Sequence, residues 1–322
     1  MLLAAVLATA AWLADGLLRP VGPQAQEQFV LLRPGSSARH IARDLRNAGI
    51  IRSAPAFLAW HHWRGRPTLK AGEYKFDHPA TAREVYDRIV AGDIYVHTVV
   101  IPEGYNIFDI ANALQAAGLG SQDEFLAVVR SDVSLISDLD PQAPSLEGYL
   151  FPDTYEFTRT QSLHDIAAAM VRRFRQESGQ LGLTTDFHRV VTMASIVEKE
   201  TAVPTERPLV ASVFYNRLRR NVVLATDPSV IYAALLAGRY DGVIHRSDLQ
   251  FDSAYNTYKQ GGLPPGSICN PGRDSLQAAM QPANSGFLYF VSDNNGHHRF
   301  ARTMEEHSRN VAAYRRAVAA SR

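Results

Sequence analysis

The sequence of 322 residues has a single cysteine, Cys269. No intramolecular disulfide can form, and a zinc cluster built from several cysteines is excluded. An excess of one charge is also missing, because 33 basic residues face 32 acidic ones and the formal net charge is +1. This balance argues against a nucleic-acid binder, which would carry a basic face or stripe.

Several familiar catalytic signatures are missing as well. The sequence contains no HExxH, no Walker phosphate loop, no GxGxxG and no GxSxG. The histidine pairs His61-His62 and His297-His298 are adjacent in sequence, and neighbouring side chains of a helix or strand point apart. Neither pair is therefore a natural two-ligand metal site. We expect no metal and no cofactor.

The only long apolar run is the N-terminal stretch "LLAAVLATAAWLA", residues 2–14. It falls between a signal-peptide core of about 7–15 residues and a spanning helix of about 20. A membrane anchor over residues 1–18 and a cleaved signal both stay open, and we favour the anchor. Both alternatives place the remaining chain outside the cytoplasm or against the membrane. Residues 19–28 are polar and contain proline and glycine, which predicts a linker.

Two related segments follow within residues 29–144. "FVLLRPGSSARHIARDLRNAG" and "TVVIPEGYNIFDIANALQAAG" each run from a strand through a proline-glycine turn into an amphipathic helix that ends in Ala-Gly. The first helix has a cap at Ser36 or Ser37 and an apolar stripe of Ile41, Leu45 and Ile50. The pattern resembles LysM-type modules, which are small sugar-binding units. The competing interpretation is that strand–turn–helix is simply an economical structural unit.

The amino-acid composition changes at about residue 145. "LEGYLFPDTYEF" and "SAYNTYKQGGLPPG" mix aromatic rings with Asn, Thr and Asp, the composition that a carbohydrate groove needs. Helices are predicted over 162–177 and 186–199, and "GFLYFVSDNNGHHRFA" predicts a hairpin. The predicted fold class is α+β: an N-terminal membrane helix, a small LysM-like α/β region over 29–144, and a mixed helix-rich catalytic domain with short strands over 145–322.

One carboxyl group draws attention in "TMASIVEKET", residues 192–201. On a helical wheel Glu198 lies beside Val191 and Ala194 on the apolar stripe, whereas Glu200 projects to the other side and is expected to be solvated. A buried carboxyl has a raised pKa and can serve as a general acid. The alternative is that Glu198 forms a buried salt bridge, with Arg207 or Arg217 as its partner.

The longer motifs of the second half resemble those of the MltG (YceG-like) endolytic murein transglycosylases. In order, they are "LEGYLFPDTYEF", "VTMASIVEKETAV", "ERPLVASVFYNRL", "LATDPSVIY" and "SAYNTYKQGGLPPGSICNPGRDSLQAAMQPA". The resemblance implies a single-pass inner-membrane protein with its catalytic domain in the periplasm. It implies cleavage between N-acetylmuramic acid and N-acetylglucosamine in nascent glycan strands, which leaves 1,6-anhydro ends and terminates elongation. Peptidoglycan strands and peptidoglycan synthases are the implied partners.

The same resemblance puts the catalytic glutamate at Glu198. Around it we predict substrate-binding residues, namely Glu147, Asp153, Thr201, Asn216, Asp227, Tyr255, Asn256 and Tyr258. A hydrolase would need a second carboxylate, for which Asp153, Asp227 and Asp252 are candidates, although Asp227 is better explained as a helix N-cap. The rival functions are a lysozyme-like hydrolase, a non-catalytic scaffold that binds peptidoglycan, and a membrane-tethered adaptor for synthases.

Overall fold

The computed structural model describes residues 1–23 and 26–320, and over these residues the chain is a helix-rich α+β protein. The helices are α1 Leu2–Leu18, α2 Ala38–Asn47, α3 Ala54–Trp63, α4 Ala82–Ala91, α5 Ile107–Ala116, α6 Gln122–Ser131, α7 Leu163–Leu181, α8 Phe187–Glu200, α9 Arg207–Arg219, α10 Asp227–Leu236, α11 Arg273–Met280 and α12 Met304–Ala320. The strands are β1 Gln28–Leu32, β2 Gly72–Phe76, β3 His97–Ile101, β4 Asp153–Phe157, β5 Tyr289–Ser292 and β6 His298–Ala301. They pair two by two, β1 with β2, β3 with β4 and β5 with β6. The predicted α+β class is confirmed at this level.

The described chain divides into two compact units. Unit 1 comprises residues 1–99, 117–119 and 156–162, and unit 2 comprises 100–116, 120–155 and 163–322. The domain boundary at 144/145 stays a prediction. Residues 100–116, most of the second strand–turn–helix segment, belong to unit 2. There α5 packs on α6, and α6 packs on α7. Of the predicted linker over residues 19–28, residues 24–25 lie outside the described part.

Helix α1 is 17 residues long, and its apolar side chains are exposed from Met1 to Trp12. Its last turn packs on α3, where a Cβ added at Gly16 would lie 2.8 Å from the Cβ of Ser53. Among the described helices we find none with the length and apolar character needed to cross a bilayer.

In unit 1 the two-stranded sheet shares one buried core with α2, α3 and α4. Strand β1 pairs antiparallel with β2, from Gln28 opposite Phe76 to Leu32 opposite Gly72. Ile41, Leu45 and Ile50 are buried as the apolar stripe predicted. The cap of α2 is Ser37, whose hydroxyl accepts a hydrogen bond from the backbone N–H of His40 at 3.3 Å.

In unit 2 helix α8 packs against α9, α10 and α11. The buried residues of α8 include polar Thr192 and Ser195 as well as the apolar stripe, so this helix has no solvated side along most of its length. The predicted β5–β6 hairpin is confirmed, with Ser292 opposite His298. Helix α6 was not predicted from the sequence, although Ser121 and Glu124 form a capping box at its start.

Replacing the α2 cap tests this local structure. Ser37→Ala should lower the free energy of unfolding by about 1 kcal/mol, because the N–H of His40 loses its acceptor. The measurement is the urea midpoint followed by circular dichroism. Ser36→Ala, one residue earlier, is the matched control and should stay within about 0.5 kcal/mol of wild type. Equal effects from the two variants would contradict the assigned cap.

Candidate active site

Helix α8 ends at a pair of glutamates that point in different directions. Glu198 and Glu200 lie two positions apart, which is about 200° around a helix. The helix ends after Glu200, because Thr201 has extended backbone angles, φ −145° and ψ 131°. The two carboxyl groups therefore enter different surroundings at the same end of one buried helix.

On one side Glu198 is held by a buried arginine. The Nη2 atom of Arg207 donates to Oε1 of Glu198 at 3.0 Å, and the backbone N–H of Gly272 donates to Oε2 at 2.9 Å. The side chains of Glu198 and Arg207 are 6% and 7% exposed. This is the salt-bridge alternative that the sequence left open, with Arg207 and not Arg217 as the partner.

The same arginine gathers two further carboxylates. Its guanidinium lies 3.5 Å from Glu103 and 3.7 Å from Asp274. Burial, together with the nearby charge of Glu198, raises the pKa of Glu103. Arg207 therefore lies among three acidic side chains, Glu198, Glu103 and Asp274.

A cavity of about 500 Å³ lies near this ion pair. Its lining residues are Glu103, Gly104, Tyr105, Asp109, Asn112, Ala113 and Lys199. The ammonium of Lys199 donates to the backbone carbonyl of Gly104 at 3.2 Å. Glu198 adjoins this cavity, because Arg207 contacts both Glu198 and Glu103 and the Cγ of Glu198 would lie 3.6 Å from a Cβ added at Gly104.

On the other side Glu200 lies in surroundings that raise its pKa. Burial and the charge of Asp227 raise the pKa of Glu200 to about 7, while Thr226 and Arg217 oppose the rise. The expectation that Glu200 is solvated is therefore wrong. A carboxyl with this pKa carries a proton on about half of the molecules near neutral pH.

The groups around Glu200 come from α9, from the start of α10 and from the loop that follows. Arg217 donates to the backbone carbonyls of Leu288 at 2.7 Å and Leu224 at 2.6 Å, so its guanidinium is already occupied. Asp227 is the first residue of α10 and accepts a hydrogen bond from the Tyr258 hydroxyl at 2.6 Å. Both Asp227 and Tyr258 are exposed.

Two predicted substrate-binding residues are sealed inside the protein. Glu147 is 3% exposed and accepts from the backbone N–H of Ile107 and from the amide of Asn270, each at 2.9 Å. Burial raises the pKa of Glu147 to about 8. Asn256 is 0% exposed, and its amide donates to backbone carbonyls that include Phe251 at 2.7 Å. Both brace the loops of unit 2 and neither can contact a ligand in this conformation.

Other predicted residues also have internal partners. Asp153 accepts from Arg173 at 2.5 Å, and the Thr201 hydroxyl accepts from the backbone of Val203 at 3.1 Å. Asn216 donates to the carbonyls of Ser285 and Phe287. Tyr255 is partly buried with its ring centroid 5.1 Å from that of Tyr232. Of the eight predicted substrate-binding residues, the structure brings only Asp227 and Tyr258 to the Glu200 side.

The sequence contains an indication that Glu200 is shielded, which the helical-wheel analysis did not use. Ile196 and Met193 fall outside the main apolar stripe, and they lie four and seven positions before Glu200 on the same face. Both are fully buried. A second apolar face means that the far side of α8 packs on protein, so a carboxyl at its end is shielded there too.

The comparisons with known proteins agree with this architecture. Residues 30–313 match the model of the YceG-like family. The chain therefore belongs to the YceG-like family.

Several relatives are informative. The chain is 32% identical over 320 residues to a protein of Bacillus subtilis named endolytic murein transglycosylase, and the match covers 92% of this chain and 88% of that protein. A Streptococcus pneumoniae protein of the same name is 30% identical, with 94% of this chain and 61% of that protein covered. A crystal structure of a YceG-like protein from Listeria monocytogenes matches with a TM-score of 0.57 and 32% identity, covering 89% of this chain and 99% of that one.

The raised pKa of Glu200 predicts a pH-dependent cost in stability. The folded protein keeps this proton up to about pH 7, whereas the ordinary value is 4.5, so wild-type stability falls as pH rises through that window. Glu200→Gln removes the titration. Its free energy of unfolding should equal that of wild type near pH 4 and exceed it by about 1–3 kcal/mol at pH 8.

Urea unfolding at a series of pH values measures this difference. Glu156→Gln, at an exposed position of β4, serves as the control. A Glu200→Gln advantage that is constant with pH, or that appears equally in the control, would contradict the assignment.

Proposed function

We propose that this chain is an endolytic peptidoglycan lytic transglycosylase. It would cleave the bond between N-acetylmuramic acid and N-acetylglucosamine within nascent glycan strands and leave 1,6-anhydro-N-acetylmuramic acid ends, which terminates elongation. The names of its relatives support the reaction class. The single structural observation that carries the proposal is the carboxyl of Glu200 at the end of the buried helix α8, near the exposed and hydrogen-bonded pair Asp227 and Tyr258.

We assign the proton donor to Glu200 in preference to Glu198. The sequence prediction chose Glu198, whose carboxylate bonds to Arg207 and to the N–H of Gly272. To act as the proton donor, Glu198 would have to leave its buried salt bridge with Arg207, which is costly. Glu200 needs no such rearrangement, and its surroundings already favour the protonated form.

The reaction needs one group that first donates and then accepts a proton. Protonated Glu200 donates to the glycosidic oxygen as the bond to C1 of the muramic acid breaks. The resulting Glu200 carboxylate takes the proton from the C6 hydroxyl of the same sugar, whose oxygen bonds to C1. Atoms balance without water, and Glu200 ends protonated for the next cycle.

Asp227 and Tyr258 complete the centre. As C1 loses its leaving group, positive charge develops on the sugar ring, and a carboxylate nearby stabilises it. Asp227 lies at the N-terminus of α10 and receives the Tyr258 hydroxyl at 2.6 Å, which fixes its orientation. Burial and the bond to Asp227 raise the pKa of Tyr258, so this hydroxyl stays a donor.

The rival hydrolase would add water at C1 and give a product heavier by one water molecule. Glycoside hydrolases use a second carboxylate either as a nucleophile or as a base that activates water. Asp227 could fill that role by position, so product mass is what separates the two reactions. The non-catalytic scaffold and the synthase adaptor give no soluble product.

The remaining features of the proposal concern location and binding. We assign residues 29–144 to a LysM-like glycan-binding region and 145–322 to the catalytic domain. Residues 1–18 would anchor the chain in the inner membrane, with the catalytic domain in the periplasm. Residues 19–28 would link the anchor to the glycan-binding region. The exposed apolar side chains of α1 support an anchor. Peptidoglycan synthases are the proposed partners, since they supply nascent strands.

Two single substitutions decide which glutamate donates the proton. Glu200→Gln should lower the rate of anhydro-end formation by about 10²–10⁴-fold, because the amide has no proton of suitable acidity to give. Glu198→Gln should keep activity within about tenfold of wild type, since its side-chain oxygen still accepts from Arg207 or Gly272. The measurement is mass spectrometry of the ends formed on polymeric, uncrosslinked glycan strands.

Both variants must first show wild-type circular dichroism. The reverse order of activities would return the donor role to Glu198. Products heavier by one water would replace the transglycosylase with a hydrolase.

The pH dependence of turnover tests the role of Asp227. Activity should fall as pH rises through about 7, because Glu200 loses the proton that it must donate. Asp227→Asn removes a negative charge that raises the pKa of Glu200, so this fall should move to lower pH. The Asp227→Asn substitution should also lower kcat by at least about tenfold at pH 5, where Glu200 is protonated in both proteins.

Tyr258→Phe should change kcat in the same direction by a smaller factor, since it loosens Asp227 without removing it. Asp252→Asn, at another exposed aspartate of unit 2, is the control. An unchanged pH profile in Asp227→Asn would show that Asp227 has no electrostatic link to Glu200.

A further inference from the structure

The near-neutral net charge hides a strong segregation along the chain. Residues 33–70 contain eight basic residues and one acidic residue, Asp44, a net charge of +7. The rest of the chain has 25 basic and 31 acidic residues, a net charge of −6. We call residues 33–70 the basic segment. It lies wholly within unit 1.

Helix α2 carries the centre of this charge as a stripe. Arg39, Arg43 and Arg46 occupy positions i, i+4 and i+7, so their side chains share one face of the helix. All three are exposed, while Ile41 and Leu45 bury the other side in the core. Within the described residues no carboxylate lies within 4 Å of these three guanidinium groups. The stripe has no internal counter-charge.

Further exposed arginines flank α2 and α3. Arg33 follows β1, and Arg64 and Arg66 follow α3. None of the three has a carboxylate partner within the described parts of the chain, and Arg66 bonds to His62 instead. Trp63, at the end of α3, is 72% exposed. Trp side chains with one polar and one apolar edge are enriched at the level of lipid headgroups.

The basic segment is attached directly to the exposed apolar helix. Arg52 lies 3.2 Å from Asp15 of α1, and Gly16 of α1 packs against Ser53 and Ala56 at the start of α3. From Met1 to Trp12 the side chains of α1 are exposed, and most are apolar. An apolar helix and an unpaired positive surface thus meet in one unit.

We propose that the basic segment of unit 1 binds the anionic headgroups of a lipid bilayer. The proposal rests on the membrane anchor suggested above for residues 1–18 and adds a specific lipid chemistry to it. Anionic headgroups supply the counter-charge that Arg39, Arg43 and Arg46 lack, and the bilayer covers the apolar side chains of α1. A soluble polyanion would satisfy the arginines but would leave α1 and Trp63 exposed to water.

Vesicle flotation with the full chain tests the proposal. The two probes are vesicles of phosphatidylcholine alone and vesicles that also contain phosphatidylglycerol. Wild type should prefer the phosphatidylglycerol vesicles, and high salt should reduce that preference. The triple variant Arg39→Gln, Arg43→Gln, Arg46→Gln should bind them about 100-fold more weakly, at about fivefold for each arginine near an anionic surface.

The matched control is the triple variant Arg309→Gln, Arg315→Gln, Arg316→Gln, which removes the same charge from exposed positions of α12 in unit 2. It should keep the wild-type preference. Equal binding by the two triple variants would overturn the proposal. So would binding to polyphosphate that needs Arg39, Arg43 and Arg46 without any preference for phosphatidylglycerol vesicles.

The two membrane proposals fail in different ways. If wild type binds both kinds of vesicle equally and the α2 substitutions have no effect, the anchor stands and the headgroup site is wrong. If wild type binds only the phosphatidylglycerol vesicles and the α2 substitutions abolish this, the headgroup site stands and the apolar anchor is wrong.

Discussion

The site depends on one constraint, which is that helix α8 is packed on nearly every side up to its last turn. A helix that ends in this way presents its final carboxyl groups mainly to protein, and both Glu198 and Glu200 are only partly exposed. The burial that results raises the pKa of Glu200 to about 7, whereas Glu198 is matched by the guanidinium of Arg207 at 3.0 Å. Two glutamates of one short motif thereby enter different surroundings: Glu198 pairs with Arg207, and the pKa of Glu200 is raised.

The surrounding elements follow from this arrangement. The loop before α11 supplies the N–H of Gly272 to Glu198, and α10 begins where Asp227 can act on Glu200. Asn270 links distant parts of unit 2, since its side-chain oxygen accepts from the backbone of Gly148 and of Leu150, each at 2.9 Å. The aromatic and amide residues of these loops mainly hold the loops together, and only a few of them reach the exposed face.

Sequence reasoning recovered the elements whose signals are local. The Ser37 cap, the apolar stripe of α2 and the β5–β6 hairpin depend on neighbouring residues, and each is in the structure. The predicted Asp227 cap is wrong, because Asp227 is the first residue of α10 and Thr226 holds the N-cap position. The site was harder, because the burial of Glu200 depends on α9 and α10, which pack on α8 from elsewhere in the chain. Asn256 and Glu147 are of residue types that line sugar grooves, but tertiary packing buries both side chains. A single wheel drawn for α8 shows one preferred face and cannot show what packs on the opposite one.

The protonation state of Glu200 is the central claim, and carboxyl ¹³C NMR of protein labelled at glutamate measures it directly. Comparison with spectra of Glu200→Gln and Glu198→Gln assigns the two resonances. We predict that the Glu200 resonance titrates with a midpoint near pH 7. A midpoint near the ordinary value of 4.5 would contradict the account, because Glu200 would then have no proton to donate at neutral pH.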